Sequence, residues 1–450
     1  MASSVWWIRR DLRLSDQPAL LSAAAAGDVL PLFVIDPSLW GPSGDVRRAY
    51  LLRSLRKFDS SLAGALHVRI GDPTSVVPNV ASQCEASEVH IAADFGPYGD
   101  KRDGAVDAEL RKAGRSLVRT GSPYAVAPGR VRKDDGTPYR VFTPFYRAWL
   151  AHGWRSPAPP AIANQWLRLD GSQPLPPEPE LGSLVLPPVG EEAARTRWRE
   201  FCATDLVDYA DLRDRPDLPA TSGLSAALKW GEIHPRTLLA DLDDSRGHDA
   251  FRRELAWREF YADVLHQAPE TVRRNLRTEL DAIEYDDGET ADKRFEAWRH
   301  GHTGYPFVDA GMRQLLAEGW MHNRVRMVAA SFLVKDLHLP WTRGARWFMQ
   351  MLRDADVASN QHGWQWVAGT GTDAAPYFRV FNPVAQGQRF DADGDYVRRY
   401  VPELRDVDSA HIHEPWRCAS GVPPAYIQRI VDHRVERQDA LDRYASARRR

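Results

Sequence analysis

Residues 155–190 read "RSPAPPAIANQWLRLDGSQPLPPEPELGSLVLPPVG". Proline recurs through this stretch without a strand or helix period, so no regular element can run along it. It reads as a long, partly extended connection wrapping between two folded units. The chain differs on its two sides. Before it, the short apolar runs "VWWI" (5–8), "VLPLFVI" (29–35), "LHVRI" (66–70), "EVHIAA" (88–93) and "SLVRT" (116–120) alternate with helical stretches such as "ALLSAAAAG" and "VRRAYLLRSLRKF". That alternation predicts an α/β unit, an open doubly wound parallel sheet with helices on both faces. After it, strand-like runs almost vanish. Amphipathic patterns such as "EEAARTRWREFCATDL", "AFRRELAWREFYADVLHQ" and "NRVRMVAASFLVKDL" predict an all-α unit. The expected division is 2–130 for the α/β unit, 131–190 for the connection and 191–450 for the helical unit.

Bulk composition supports two domains and narrows the function. A chain of 450 residues exceeds one hydrophobic core. With 43% hydrophobic and 27% charged residues it is an ordinary globular protein, apart from 16 tryptophans. A net charge of −2 leaves only a local basic patch for binding nucleic acid. Cys84, Cys202 and Cys418 are isolated, which suits a reducing cytoplasm. No apolar run is long enough to span a membrane, and "MASS" leads straight into "VWWI" without a signal-peptide pattern. The first strand is followed by "RRDLRLSD" rather than G-x-G-x-x-G, against a standard dinucleotide site there. Ser-His-Asp and Walker-type signatures are absent.

Four short segments carry candidate chemistry. "ATSGLSAALKWG" (220–231) puts Thr221, Ser222 and Ser225 at a helix start, which is either a plain cap or a phosphate cradle. "ELAWREFYADV" (254–264) aligns Glu254, Trp257, Arg258 and Tyr261 on one helical face, as a salt-bridge network or the wall of a cavity for a planar ligand. "GWMHNRVRM" (319–327) spaces Asn323 and Met327 by one turn and adds Arg324 and Arg326. "DADVASNQHGWQW" (354–366) crowds Asp354, Asp356 and Asn360 against Trp364 and Trp366. No His or Cys is set at ligand spacing beside the two carboxylates, and no metal is expected. The tryptophans, two residues apart, are expected to face one way only in extended or looped backbone. Planar-cofactor redox chemistry suits this residue set better than covalent hydrolysis.

The chain resembles the photolyase/cryptochrome flavoprotein family. The matching segments are "VWWIRRDLRLSDQPAL", "VFTPFYRAWL", "TSGLS", "ELAWREFY", "TGYPFVDAGMRQLLAEGWMHNRVRMVAASFLVKDL", the stretch from Asp354 through "HGWQWVAGTGTD" and "HEPW". They occur in family order over almost the whole chain. The resemblance implies an α/β antenna domain, a wrapping linker and an all-α FAD-binding domain. It implies that Tyr209, Thr221, Ser222, Leu224 and Ser225 embrace the FAD phosphates. Asn323, Arg326, Asp354, Asp356 and Asn360 would surround the isoalloxazine, with Arg326 and Asp354 paired and Asn360 facing N5.

The implied substrate is UV-damaged DNA. Glu254 would be the hydrogen-bond and proton partner of a flipped cyclobutane pyrimidine dimer. Trp257, bordering both cofactor and substrate, would stack on it with Trp366. Asn323 and Met327 would touch it, and Arg213, Arg258 and Arg324 would face DNA. Members specific for the (6-4) lesion carry histidine at the places of Asn323 and Met327, so the likeness is to class I dimer-repairing members. Trp364 and Trp341 match the electron relay. Its third, surface-end tryptophan would fall near "AIEYDDGETADKRFEAW", where Tyr285 stands, with Trp298 as the other candidate. Tyr98-Gly99 replaces the Asn-Glu pair of folate-binding members. An 8-hydroxy-deazaflavin antenna is therefore expected over methenyltetrahydrofolate, held by Arg47 and Asp94. The protein is expected to be a cytoplasmic monomer. The rival readings are a cryptochrome-type light receptor, for which the long C-terminal extension is missing, a single-strand-specific DASH-type photolyase, and an electron-transfer flavoprotein.

Overall fold

A computed structural model describes residues 3–160, 165–373, 378–419 and 421–449. Five strands form one sheet: β1 (Ser3–Ile8), β2 (Asp28–Ile35), β3 (His67–Ile70), β4 (Glu88–Ile91) and β5 (Ser116–Arg119). Their order is β3-β2-β1-β4-β5, and every neighbouring pair is parallel. Alternate side chains of each strand enter cores on opposite faces. Trp6, Ile8 and Phe33 pack with Leu55 and Phe58 on one face. Val5, Trp7 and Leu32 pack with Val80 and Val106 on the other. The crossover helices Pro18–Ala26, Pro73–Gln83 and Pro97–Lys112 each begin on a proline, whose fixed φ suits a first helical turn.

The connection expected over 131–190 is not extended throughout. Helix Phe142–His152 lies within it, because Phe142, Phe145, Tyr146 and Trp149 recur at helical spacing and pack as one buried face. Phe145 meets Phe260 of helix Arg246–Gln267 at a ring-centroid distance of 5.0 Å. Farther on, the connection follows the sheet: Trp166 bridges Val29, and the Gln173 N–H donates to Val68 O. Residues 161–164 of the connection lie outside the described residues.

The helical unit docks on the α/β unit by buried polar contacts. Glu232 accepts from Tyr50 Oη at 2.8 Å and Ser54 Oγ at 2.6 Å. Asp16 accepts from Arg236, and Arg13 donates to Gly231 O. Among the described residues, no helix is long and apolar enough to cross a membrane.

Backbone also meets backbone at this joint. A Cβ on Gly44 would stand 1.7 Å from Gln350 O, so only glycine permits the approach of helices Asp45–Ser61 and Trp341–Met351. Gly44→Ala is expected to lower stability by about 1–3 kcal/mol, the usual size of an overpacking penalty. Equilibrium denaturant unfolding reads this directly, and an unchanged midpoint would contradict the close approach.

Candidate flavin and DNA site

Helices of the C-terminal unit enclose a cavity of about 520 Å³. Helix Arg246–Gln267 presents Glu254, Trp257, Arg258 and Tyr261 to it, as the spacing requires. Helix Asn323–Lys335 presents Asn323, Arg324, Arg326 and Met327. Buried His322 starts that helix by accepting from the Arg324 N–H. Burial pulls its imidazole down to about 4, so the ring is neutral and free to accept. Helix Ser225–Trp230 adds Ser225 and Lys229, while Tyr209 and Ser222 close one end. Thr221 and Leu224 stand behind the wall: Thr221 O accepts from Arg197, and Leu224 is buried just before the helix.

Trp364 and Trp366 correct the looped reading of their segment. Both lie in helix Val357–Ala368, about 200° apart around its axis. Asp356 caps the helix by accepting from the Ser359 N–H, and Gly369 ends it at φ 83 only after Ala368. Both rings still border the cavity. Trp364 is buried in the core and Trp366 half-buried, so opposite faces of one helix serve different neighbours.

Charge is concentrated at two carboxylates. Arg326 Nη2 donates to Asp354 Oδ2 at 2.9 Å, while Asp354 Oδ1 is buried without a partner. Burial alone would raise the Asp354 carboxyl, but Arg326, Ser225 and Arg353 together outweigh it and hold it below the usual range. Asp356 Oδ2 accepts from Arg10 Nη2 at 2.6 Å, across the two domains. There too burial is outweighed, by Arg10, Lys229 and Arg258, and Asp356 stays ionised. Lys229 pays the opposite way: burial and Arg10 drop its ammonium to about 7 against the pull of Asp356.

The mouth of the cavity is built of ion pairs and backed rings. Glu254 Oε1 accepts from Arg213 Nη1 at 2.6 Å, yet burial keeps its carboxyl above the usual range. Asp214 holds Arg324 in a two-pronged pair at 3.2 and 2.8 Å. Trp257 stacks on Phe142 at 3.7 Å, and the Arg379 guanidinium lies 5.5 Å from the Trp366 ring centre. Arg258 departs from the expectation that it faces DNA. Its guanidinium is turned inward, donating to Pro123 O and Leu228 O.

An aromatic cluster leads away from the cavity. Trp364 lies 5.0 Å from Phe348 and 6.1 Å from the fully buried Trp298. A Cβ on Gly344 would fall 2.1 Å from the Trp364 ring, so a glycine is needed there for the indole to fit. Buried Trp341 begins the same helix as Gly344 and donates from Nε1 to Asn275 Oδ1 at 2.8 Å. Tyr285, expected at a surface end, is half-buried against this core. Its phenol oxygen is enclosed without a partner, and burial pushes it up to about 12.

Arg47 and Asp94 lie outside the cavity wall, at the domain joint. Arg47 donates to Met349 O at 2.8 Å and Ser43 Oγ at 3.0 Å. Asp94 accepts from the Gly96 N–H at 3.1 Å, and a Cβ on Gly99 would meet its carboxyl at 2.2 Å. Arg47, Asp94, Arg10 and Asp356 all act electrostatically on Lys229, so residues from both domains converge there. Sequence reasoning missed Lys229, Arg10 and Asp214. A lysine inside the short apolar helix "SAALKW" was a signal, as was an arginine just beyond β1, at the ligand end of a parallel sheet. Nothing in the sequence marked Asp214. Among the described residues, one group has atoms close enough to hold a metal: His338, Glu436 and Asp439. It lies at helix His433–Ala447, away from the cavity, where Arg443 already pairs with Asp439 at 2.9 Å.

Comparison with known proteins agrees with this geometry. Residues 4–163 match the family model described as DNA photolyase, and residues 251–446 match the FAD binding domain of DNA photolyase. The chain is 40% identical to the deoxyribodipyrimidine photo-lyase of Halobacterium salinarum over 99% of both proteins. It superposes on a bacterial class III photolyase from Agrobacterium tumefaciens with a TM-score of 0.92 at 38% identity, covering 100% of this chain and 98% of that one. An archaeal photolyase from Sulfolobus tokodaii, solved with two FAD molecules, gives a TM-score of 0.87 at 28% identity over 99% and 100% of the two chains. The chain belongs to the DNA photolyase family.

Proposed function

We infer that this protein is a deoxyribodipyrimidine photo-lyase, a light-driven DNA-repair enzyme whose substrate is the cyclobutane pyrimidine dimer. One observation carries the reading. A single cavity joins a polar floor, the Arg326–Asp354 pair with its buried carboxylate and Asn360, to a mouth walled by Glu254, Trp257 and Trp366. A flavin on the floor and a flipped-out pyrimidine dimer at the mouth would be neighbours.

The residues present fit FAD. The orphaned Asp354 Oδ1 awaits a donor in a buried site, and a carboxylate held ionised suits ring N–H groups. Ser222, Ser225 and Tyr209 would hold the phosphate end, supported by Thr221 and Leu224 behind them. Asn323, Arg326, Asp354, Asp356 and Asn360 would hold the ring. When bound in its reduced form, FAD supplies light absorption and one electron lent to the dimer and recovered after its ring opens.

The protein's own part is to orient, desolvate and place charge. Photolyases as a class flip the damaged base out of the duplex. Trp257, stiffened by Phe142, and Trp366 would sandwich the dimer, each stacking contact contributing about 1–3 kcal/mol. Glu254, held above the usual carboxylate range by burial, carries a proton more readily than a surface glutamate and can donate to a dimer carbonyl. Arg213 and Arg324 would exchange Glu254 and Asp214 for DNA phosphates, which frees Glu254 for the lesion. With a net charge of −2 the attraction is local, and binding weakens as salt rises.

Asn323 and Met327, where (6-4)-specific members carry histidine, support dimer repair and the class I reading, although a class III enzyme is among the structural relatives. The cryptochrome and DASH-type readings are not favoured. For reduction of the flavin we propose a relay from Trp364 through Trp341, ending on Tyr285 or drawn off to Trp298. For the antenna we propose 8-hydroxy-deazaflavin over methenyltetrahydrofolate, held by Arg47 and Asp94. The division at 130 and 190, a monomeric state and a cytoplasmic location complete the proposal. Three isolated cysteines support the last of these.

Three outcomes test these roles. Glu254→Gln should lower dimer repair per photon several-fold, up to the roughly tenfold worth of one charge-assisted hydrogen bond; full yield would remove Glu254 from the chemistry. Trp341→Phe should block photoreduction of oxidised FAD and leave repair by pre-reduced enzyme intact, and surviving photoreduction would redirect the relay. For Lys229 the sign follows from its depressed pKa. Holding it costs stability below about 7, and the cost fades as pH rises towards the ordinary 10.5. In protein lacking the second chromophore, Lys229→Met should therefore be more stable than the parent at pH 6 and lose that advantage by pH 10.5. A pH-independent difference in unfolding free energy would contradict this.

A further inference from the structure

The amide of Asn360 has two N–H donors and one acceptor oxygen, and the structure uses both donors. Nδ2 donates to Ala345 O at 3.1 Å and to Gln361 Oε1 at 2.8 Å. Gln361 Nε2 donates in turn to Val272 O at 2.6 Å. Both ends of this chain are backbone carbonyls, which can only accept. Ala345 O requires the NH₂ group of Asn360, and Val272 O requires that of Gln361. The middle link then has one solution, the oxygen of Gln361 against the NH₂ of Asn360. Turning either amide over would set oxygen against oxygen at a carbonyl. The one side-chain acceptor of the pair left unspent is Asn360 Oδ1, on a residue that lines the cavity.

The anchor is itself held. Val272 ends the turn Pro269–Val272, and Gln365, one turn beyond Gln361, ties the same segment by donating to Thr271 O at 2.9 Å and accepting from the Leu276 N–H at 2.8 Å. Two glutamines of one helix thus fasten it to a single template of backbone.

We propose that Gln361 is a positioning residue that locks the Asn360 amide with its oxygen towards the flavin, making Asn360 a fixed acceptor. An acceptor at N5 favours that nitrogen carrying a proton, as in reduced FAD, over a bare lone pair. Gln361 would therefore bias the cofactor towards the state that repair requires. The inference rests on the reading that places Asn360 at N5.

The test is equilibrium reduction of the bound FAD in the intact holoprotein, followed by its absorption spectrum. Gln361→Met removes the acceptor at similar volume. It should lower the reduced-to-oxidised ratio at fixed potential about tenfold, the worth of about one hydrogen bond, or ~30 mV for a two-electron couple. The shift should vanish when the same change is made in an Asn360→Ala background, because Gln361 acts only through Asn360. Gln361→Ala repeats the cycle with a second side chain. A potential unchanged in Gln361→Met but shifted in Asn360→Ala overturns the role of Gln361 alone. No shift in either overturns the placement of Asn360 at N5 as well. An equal shift in both backgrounds, or loss of FAD from both Gln361 variants, makes Gln361 a structural tie and overturns the proposal.

Discussion

Much of this structure hangs on Asp356. One of its oxygens caps helix Val357–Ala368 and the other takes Arg10 from the turn after β1. That single carboxylate sets where the helix carrying Asn360, Trp364 and Trp366 begins, and fastens it to the sheet domain. A buried carboxylate is unfavourable alone. Arg10, Lys229 and Arg258 make it stable when ionised, and each is supplied by a different segment. Removing any one changes the charge balance at the joint between the domains, and with it the register of the cavity wall.

The cavity separates its tasks by depth. At the floor, carboxylates are held ionised and guanidinium groups are paired with them. At the mouth, the pairs Arg213–Glu254 and Arg324–Asp214 are partly exposed, so they are weak enough to be exchanged for phosphate. Under the proposed function, preorganised charge would serve the cofactor and exchangeable charge the DNA. The aromatic rings follow the same division. Trp364 packs in a core with Phe348 and Trp298, while the partly exposed Trp366 and Trp257 line the cavity.

The parallel sheet was legible because its strands are short apolar runs separated by helical periods, and all five were found within a few residues. The face of Glu254, Trp257, Arg258 and Tyr261 was legible because helical spacing is a local property. The backbone around Trp364 and Trp366 was misread because a two-residue spacing says nothing about a cavity that curves round a helix. The inward turn of Arg258 was illegible, since it depends on carbonyls at Pro123 and Leu228, far away in sequence. The same holds for Arg10 with Asp356 and for Arg324 with Asp214. Long-range pairing is written in the fold, and only the resemblance to the family anticipated part of it.

The central claim is that flavin and dimer meet in one cavity and exchange an electron under light. It is tested most directly by mixing the reduced holoprotein with a double-stranded oligonucleotide carrying one thymine dimer, illuminating with near-UV or blue light, and following recovery of thymine absorbance against a dark control. The account predicts recovery in the light, none in the dark, and weaker repair at high salt. Light-dependent recovery that fails with reduced FAD demonstrably bound, or recovery in the dark, would contradict it.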